Sequence, residues 1–150
     1  MRAVFPFLAL LATIISTEAG ASENPVFHSR PGSTAPFSPA VRVGDTIYLS
    51  GQIGAAADGS VPPAMADQAK LAMENVKAAL TLAGATFDDV VKCTVMLADM
   101  SKWGEFNIVY KTYFKAGRLP ARSAFGVNGL AVGAGVEVEC IAYRPLRASR

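Results

Sequence analysis

Histidine occurs once in this 150-residue chain, at His28, and cysteine twice, at Cys93 and Cys140. A serine–histidine–carboxylate triad and a histidine-rich metal site are therefore poorly supplied, and the two cysteines stand too far apart for a CxxC redox centre or zinc-ligand spacing. The glycines form neither GxxxxGK[ST] nor GxGxxG, so no phosphate-cradling loop is indicated. Charge of one sign is also in short supply: the net value is +2, and basic residues are not interleaved with aromatics. Nucleic-acid binding is disfavoured on that ground. No internal repeat or low-complexity block is visible.

Long apolar runs are missing too, with one short exception. Ala3 to Ile15 follows Met1-Arg2, stops at Ser16-Thr17-Glu18 and precedes the small-residue pattern Ala19-Gly20-Ala21. The run falls short of the roughly 20 residues that a membrane span needs, and its flanks are those of a secretory signal peptide. Residues 1–21 are read as a cleaved signal peptide, which places the mature protein across the inner membrane, in the periplasm. Cleavage would remove Arg2 and Glu18 together and leave the net charge unchanged.

What remains is enough chain for one domain with its own core. Residues 22–39 contain Pro25, Pro31, Pro36 and Pro39, which forbid regular helix, so this stretch is expected to run as an extended surface arm with His28 exposed. Residues 40–150 form the domain proper. Ala40 to Val43 and Thr46 to Ser50 read as strands joined by a Gly44-Asp45 hairpin turn. Gly51 and Gly54 bracket a strand end that another backbone or a ligand can approach closely. Ala64 to Ala83 places Ala69, Ala72, Val76, Leu80 and Ala83 on one helical stripe, with Gly84 as the stop. Gln68 and Asn75, beside that stripe, are expected to satisfy backbone groups.

Val90 to Leu97 reads as a strand, and Asp99 or Ser101 caps a second helix reaching Phe114. Trp103, Phe106, Tyr110 and Tyr113 share a face of it, and an aromatic stripe of that spacing reads as core. Ala121 to Val127 and Val136 to Tyr143 are the closing strands. Strict alternation sends Glu137 and Glu139 to one face and Val138 and Cys140 to the other. Two helices cover one side of such a sheet, so the other side is expected to meet further copies of the chain, with Glu137 or Glu139 at that boundary. Cys93 and Cys140 could pair in an exported protein. Each lies inside a strand-like apolar run, and the reading favours two buried free thiols over a bridge.

Arg122 stands in Leu119-Pro120-Ala121-Arg122-Ser123, where Gly117 and Pro120 end the preceding helix and a strand begins. A guanidinium on a rigid strand start suits a carboxylate better than a lysine would. Ser50-Gly51-Gln52-Ile53, Pro120-Ala121-Arg122-Ser123 and Val136-Glu137-Val138-Glu139, in this order, resemble the RidA (YjgF/YER057c/UK114) family of reactive-intermediate deaminases. Gly44, Asp45, Gln68, Asn75, Gly84, Asn107 and Tyr110 also fall where that family places such residues, and the resemblance runs from about Asn24 to Pro145.

The resemblance implies an α+β, chorismate-mutase-like fold: a mixed sheet of about six strands with two helices on one face, assembled as a homotrimer. It implies hydrolysis of small 2-imino or 2-enamino acids to 2-oxo acids and ammonia, without metal or organic cofactor. Arg122 would bind the substrate carboxylate and Glu137 would hold the attacking water. Ser50, Gly51, Phe37, Asn107 and Ala124 would line the pocket. Two of these depart from the family pattern: Phe37 replaces a frequent tyrosine and Ala124 a frequent cysteine. The alternative they leave open is a non-catalytic carboxylate-binding or interaction module. Endoribonuclease activity, attached to some family names, is disfavoured by the small net charge.

Overall fold

The computed structural model describes residues 24–145. The signal-peptide reading lies outside these residues. The elements in chain order are β1 (Val26–His28), β2 (Ala40–Val43), β3 (Thr46–Leu49), β4 (Gln52–Ile53), α1 (Met65–Leu82), β5 (Val90–Leu97), α2 (Trp103–Tyr110), β6 (Ala121–Gly126) and β7 (Val136–Tyr143). They form one mixed sheet in the order β1-β2-β3-β7-β5-β6, with β4 also paired to β7. Only β5 and β6 run parallel.

The hairpin, both helices and the closing strands stand where the residue pattern puts them. Gly44 turns the β2–β3 hairpin at φ 54° and Gly84 follows α1 at φ 72°, both conformations that a side chain resists. Every residue of the α1 stripe is buried, with Ala69, Ala72, Val76 and Leu80 fully so, and they cover the face of the sheet that carries Ile47, Val95, Val138 and Ala142. α2 packs beside α1 and adds Phe106 and Tyr110 to the same core. Flanking 3₁₀ turns extend it from Met100 to Tyr113, and the Asp99 side chain caps the first of them by accepting from the Ser101 N–H at 2.8 Å.

The two amides beside the stripe satisfy backbone groups, as expected. Gln68 donates to the Pro62 carbonyl at 2.8 Å and accepts from the Gly135 N–H at 2.7 Å, while Asn75 donates to the carbonyls of Ile53 and Ala55. A Cβ at Gly54 would overlap the Gln68 backbone, so this glycine lets α1 lie close against the end of β4. Arg42 points from β2 to the same side. It is buried and donates to the carbonyls of Gly44, Ala83 and Arg144, placing a cation at the carboxyl end of α1.

Three features differ from the sequence reading. The arm is not a loose cover: Val26–His28 pairs with β2 and becomes the edge strand of the sheet. His28 is accordingly half-buried rather than exposed, and its Nε2 is shielded without a hydrogen-bond partner. Gln52–Ile53, read only as a strand end, pairs with Val138 and Glu137 of β7.

The third difference is the cysteines, which form a disulfide instead of remaining free thiols. Cys93 lies directly opposite Cys140 in the antiparallel β5–β7 pair, with Cα atoms 4.1 Å apart, and both side chains face the helices. Two apolar runs 47 residues apart reveal no register when read separately; the strand order makes them neighbours.

Candidate functional site: two half-sites on opposite faces

Arg122 is the second residue of β6, directly opposite Cys93 of the parallel strand β5. Side chains opposite one another share a face, so Arg122 points to the helix side, as Cys93 and Cys140 do. There α2 receives it. Trp103, Asn107 and Tyr110 recur at i, i+4 and i+7 and form one stripe along the helix. The guanidinium carbon lies 4.6 Å from the Trp103 ring centroid and 4.7 Å from that of Tyr110. One guanidinium nitrogen donates to Asn107 Oδ1 at 2.7 Å.

Two cation–π contacts and a hydrogen bond fix the cation without neutralising it, since none of the three partners carries a negative charge. Among the described residues, Arg122 forms no ion pair. It opens on a cavity of about 310 Å³ lined by Asn107, Tyr110, Lys111, Leu119, Pro120 and Arg122. Ala124, two residues along β6, shares the Arg122 face and packs half-buried against the core. The Tyr110 hydroxyl is buried with no hydrogen-bond partner, and burial pushes its pKa up to about 12, so the ring meets the cation as a neutral phenol.

Glu137 belongs to a second constellation. It stands three residues from Cys140 along β7 and therefore points to the opposite face of the sheet. There it lies across from Ile53 of β4 and Met96 of β5. A Cβ at Gly51 would fall on the Glu137 carboxylate, so glycine at that position is what makes room for it. Partial burial raises the Glu137 pKa above the ordinary glutamate value, and the negative charge of Glu139 adds to the rise.

Ser50 adjoins this group. Its Oγ donates to the Ser38 carbonyl at 2.7 Å and its N–H to the Pro39 carbonyl at 3.0 Å, which ties the arm to the end of β3. That tether brings the backbone of Phe37, one residue before Ser38, near the Ser50 end of the site, with Phe37 itself 54% exposed. On the same open face Tyr48, Phe125 and Tyr143 are each about half exposed.

The residues singled out in the sequence thus fall into two groups. Arg122, Asn107 and Ala124 are together on the helix side; Ser50, Gly51 and Glu137 are together on the open side, with Phe37 near them. The sheet itself separates Arg122 from Glu137. The sequence reading did not pair Trp103 and Tyr110 with Arg122. Both do belong to the core stripe, but the interval 103–107–110 around Asn107 was the signal that they also hold a partner.

Over residues 27–144 the chain matches the family model described as Endoribonuclease L-PSP. It is 46% identical over 116 residues to the mouse protein named 2-iminobutanoate/2-iminopropanoate deaminase, covering 76% of this chain and 85% of the mouse one. The chain belongs to the RidA/YjgF family. Two solved Escherichia coli structures share the fold of this RidA-family chain. One is TdcF with bound serine, at TM-score 0.72 and 34% identity, covering 79% of this chain and 98% of that one. The other is the YjgF gene product, at TM-score 0.70 and 35% identity, covering 76% and 92%.

Proposed function

We propose that this RidA-family protein hydrolyses small 2-imino or 2-enamino acids to 2-oxo acids and ammonia. The observation that carries the reading is the un-neutralised Arg122 guanidinium, within 4.6 and 4.7 Å of the Trp103 and Tyr110 ring centroids at the wall of a cavity. A planar cation with unclaimed donors is suited to a carboxylate. A 2-imino acid presents one directly beside its electrophilic C=N carbon. The family relation to proteins named imine deaminases supports the same substrate class.

In this reading Arg122 fixes the carboxylate, with Asn107 holding the guanidinium in place. Glu137 accepts a proton from water as the water oxygen bonds to the imine carbon. Starting from the protonated imine, attack gives a carbinolamine whose nitrogen takes the proton back from Glu137. The C–N bond then breaks as the hydroxyl gives up its proton and becomes the 2-oxo carbonyl, and the nitrogen leaves as ammonia with that proton, as ammonium. A carboxylate whose pKa is raised by burial suits both halves of that exchange. Because the sheet separates Arg122 from Glu137, the complete site is formed by two chains, one contributing each half-site. A homotrimer closes three such sites in one ring, and its contacts would cover Tyr48, Phe125 and Tyr143. We place the protein outside the cytoplasm: the cleavable leader read in residues 1–21 and the Cys93–Cys140 disulfide both suit an oxidising compartment.

The direct test supplies an imine generated in situ from an amino acid and follows its disappearance with and without the mature protein. Acceleration that falls by about 10²-fold or more in Arg122→Ala and in Glu137→Gln is the expected result. No acceleration by the parent protein would remove the deaminase reading. Binding of 2-oxo acids retained in that case would leave a carboxylate-binding module.

The raised Glu137 pKa predicts the acid limb of the rate profile. Only the ionised carboxylate accepts the proton, so kcat/KM rises with pH through a midpoint above the ordinary glutamate value. Glu139→Gln removes one cause of the rise and shifts that midpoint to lower pH. A midpoint unmoved by this substitution would show that another group controls the limb.

A further inference from the structure

The cavity that receives the Arg122 guanidinium has a second cation in its wall. Lys111 lines it together with Arg122, and the other lining residues, Asn107, Tyr110, Leu119 and Pro120, are all uncharged. Lys111 is four residues after Asn107, so it stands one turn further along the face that meets Arg122. Arg122 is half-buried behind it, while Lys111 is exposed at the rim.

Among the described residues Lys77, Lys102 and Lys115 are each paired with a carboxylate, on Glu74, Glu105 and Asp88, whereas Lys70 and Lys92 form no ion pair. Among the described residues Lys111 has no such partner, although it shares its cavity with another positive charge. Two like charges at one concave surface repel each other, and a ligand that brings two negative charges relieves both.

We infer that Lys111 is a specificity-determining residue that binds a second acidic group, so that the cavity favours 2-imino acids with an acidic side chain over monocarboxylic ones. This rests on the reading of Arg122 as the clamp for the carboxylate beside the imine. With that carboxylate held at the inner cation, the substrate side chain extends toward the rim, where the Lys111 ammonium meets its terminal carboxylate. The plainer account of Lys111 is a cation at the carboxyl end of α2, favoured by the helix dipole. That account predicts a change in stability on substitution and no change in substrate preference.

The experiment compares the imines generated from glutamate and from alanine, and separately measures calorimetric binding of 2-oxoglutarate and pyruvate, which needs no turnover. The parent protein is expected to favour the dicarboxylic member of each pair. Lys111→Met keeps the apolar stem and removes the charge; it is expected to lower the preference by about tenfold or more, while Lys111→Arg retains it. Urea titration of the Lys111→Met protein reads any helix-end effect independently. Turnover of the alanine-derived imine with no dicarboxylic preference overturns the inference and leaves the deaminase reading intact. Lys111-dependent binding of 2-oxoglutarate without hydrolysis of either imine does the reverse. A preference unchanged in Lys111→Met overturns the inference, as does failure to bind either 2-oxo acid.

Discussion

Mixing Arg122→Ala chains with Glu137→Gln chains, each inactive alone, restores about a quarter of the parental deaminase activity when they are unfolded together in equal amounts and refolded. In a ring of three with one half-site from each neighbour, every mixed trimer regains one intact site out of three. Random assembly makes about three-quarters of the trimers mixed. The prediction follows from the geometry of the sheet. Arg122 shares its face with Cys93, Glu137 stands three residues from Cys140, and the disulfide fixes Cys93 and Cys140 on one side. A site built within a single chain would give no recovery at any ratio. Recovery well above a quarter would indicate that unlike chains assemble preferentially rather than at random.

Removing the disulfide has the largest expected effect on stability. The bond closes a loop of 47 residues, and the loss of chain entropy in the unfolded state corresponds to about 4 kcal/mol. Cys93→Ala/Cys140→Ala protein is expected to lose stability on this scale in urea titrations at matched chain concentration. Dithiothreitol should destabilise the parent and leave the double variant unaffected. The denatured, unreduced parent should offer no thiol to a thiol reagent. A loss below about 1 kcal/mol would show that the native strands hold their register without the bond. The effect should reach the candidate site as well. Cys93 lies between Cys140 on one side and Arg122 on the other, so the bond pins the strand against which Arg122 is registered.

The parts of the fold legible in the sequence were those that depend on local chemistry. Gly44 and Gly84 marked conformations that other residues avoid, the α1 stripe marked a buried face, and the alternation from Val136 to Tyr143 separated Glu137 from Cys140 correctly. What escaped depends on strand order. β7 inserts between β3 and β5 although it is last in the chain, and only that placement sets Cys140 opposite Cys93. The proline-rich arm hid β1 for a related reason: Val26 to His28 is too short to show a period, and its strand character comes from the β2 edge it joins.

The candidate site divides in the same way. Arg122 and Glu137 stood out as a strand-start guanidinium and an alternating carboxylate, and the family resemblance gave them roles. Their separation by the sheet required the register. Trp103 and Tyr110 were read as core because burial and cation holding call for the same residues at the same spacing. An aromatic surface serves both, and only the guanidinium carbon within 4.7 Å of both ring centroids reveals the second contact.

The division of the site between two faces has a consequence for when the protein can act. On the proposed mechanism a lone folded chain would carry a carboxylate clamp with no water-holding group near it and a glutamate with no substrate in reach. Catalytic competence would then be a collective property, set by how many chains are present rather than by the folding of any one. Single chains would stay inert until their local concentration exceeds the dissociation constant of the assembly, and dilution would switch them off without unfolding them.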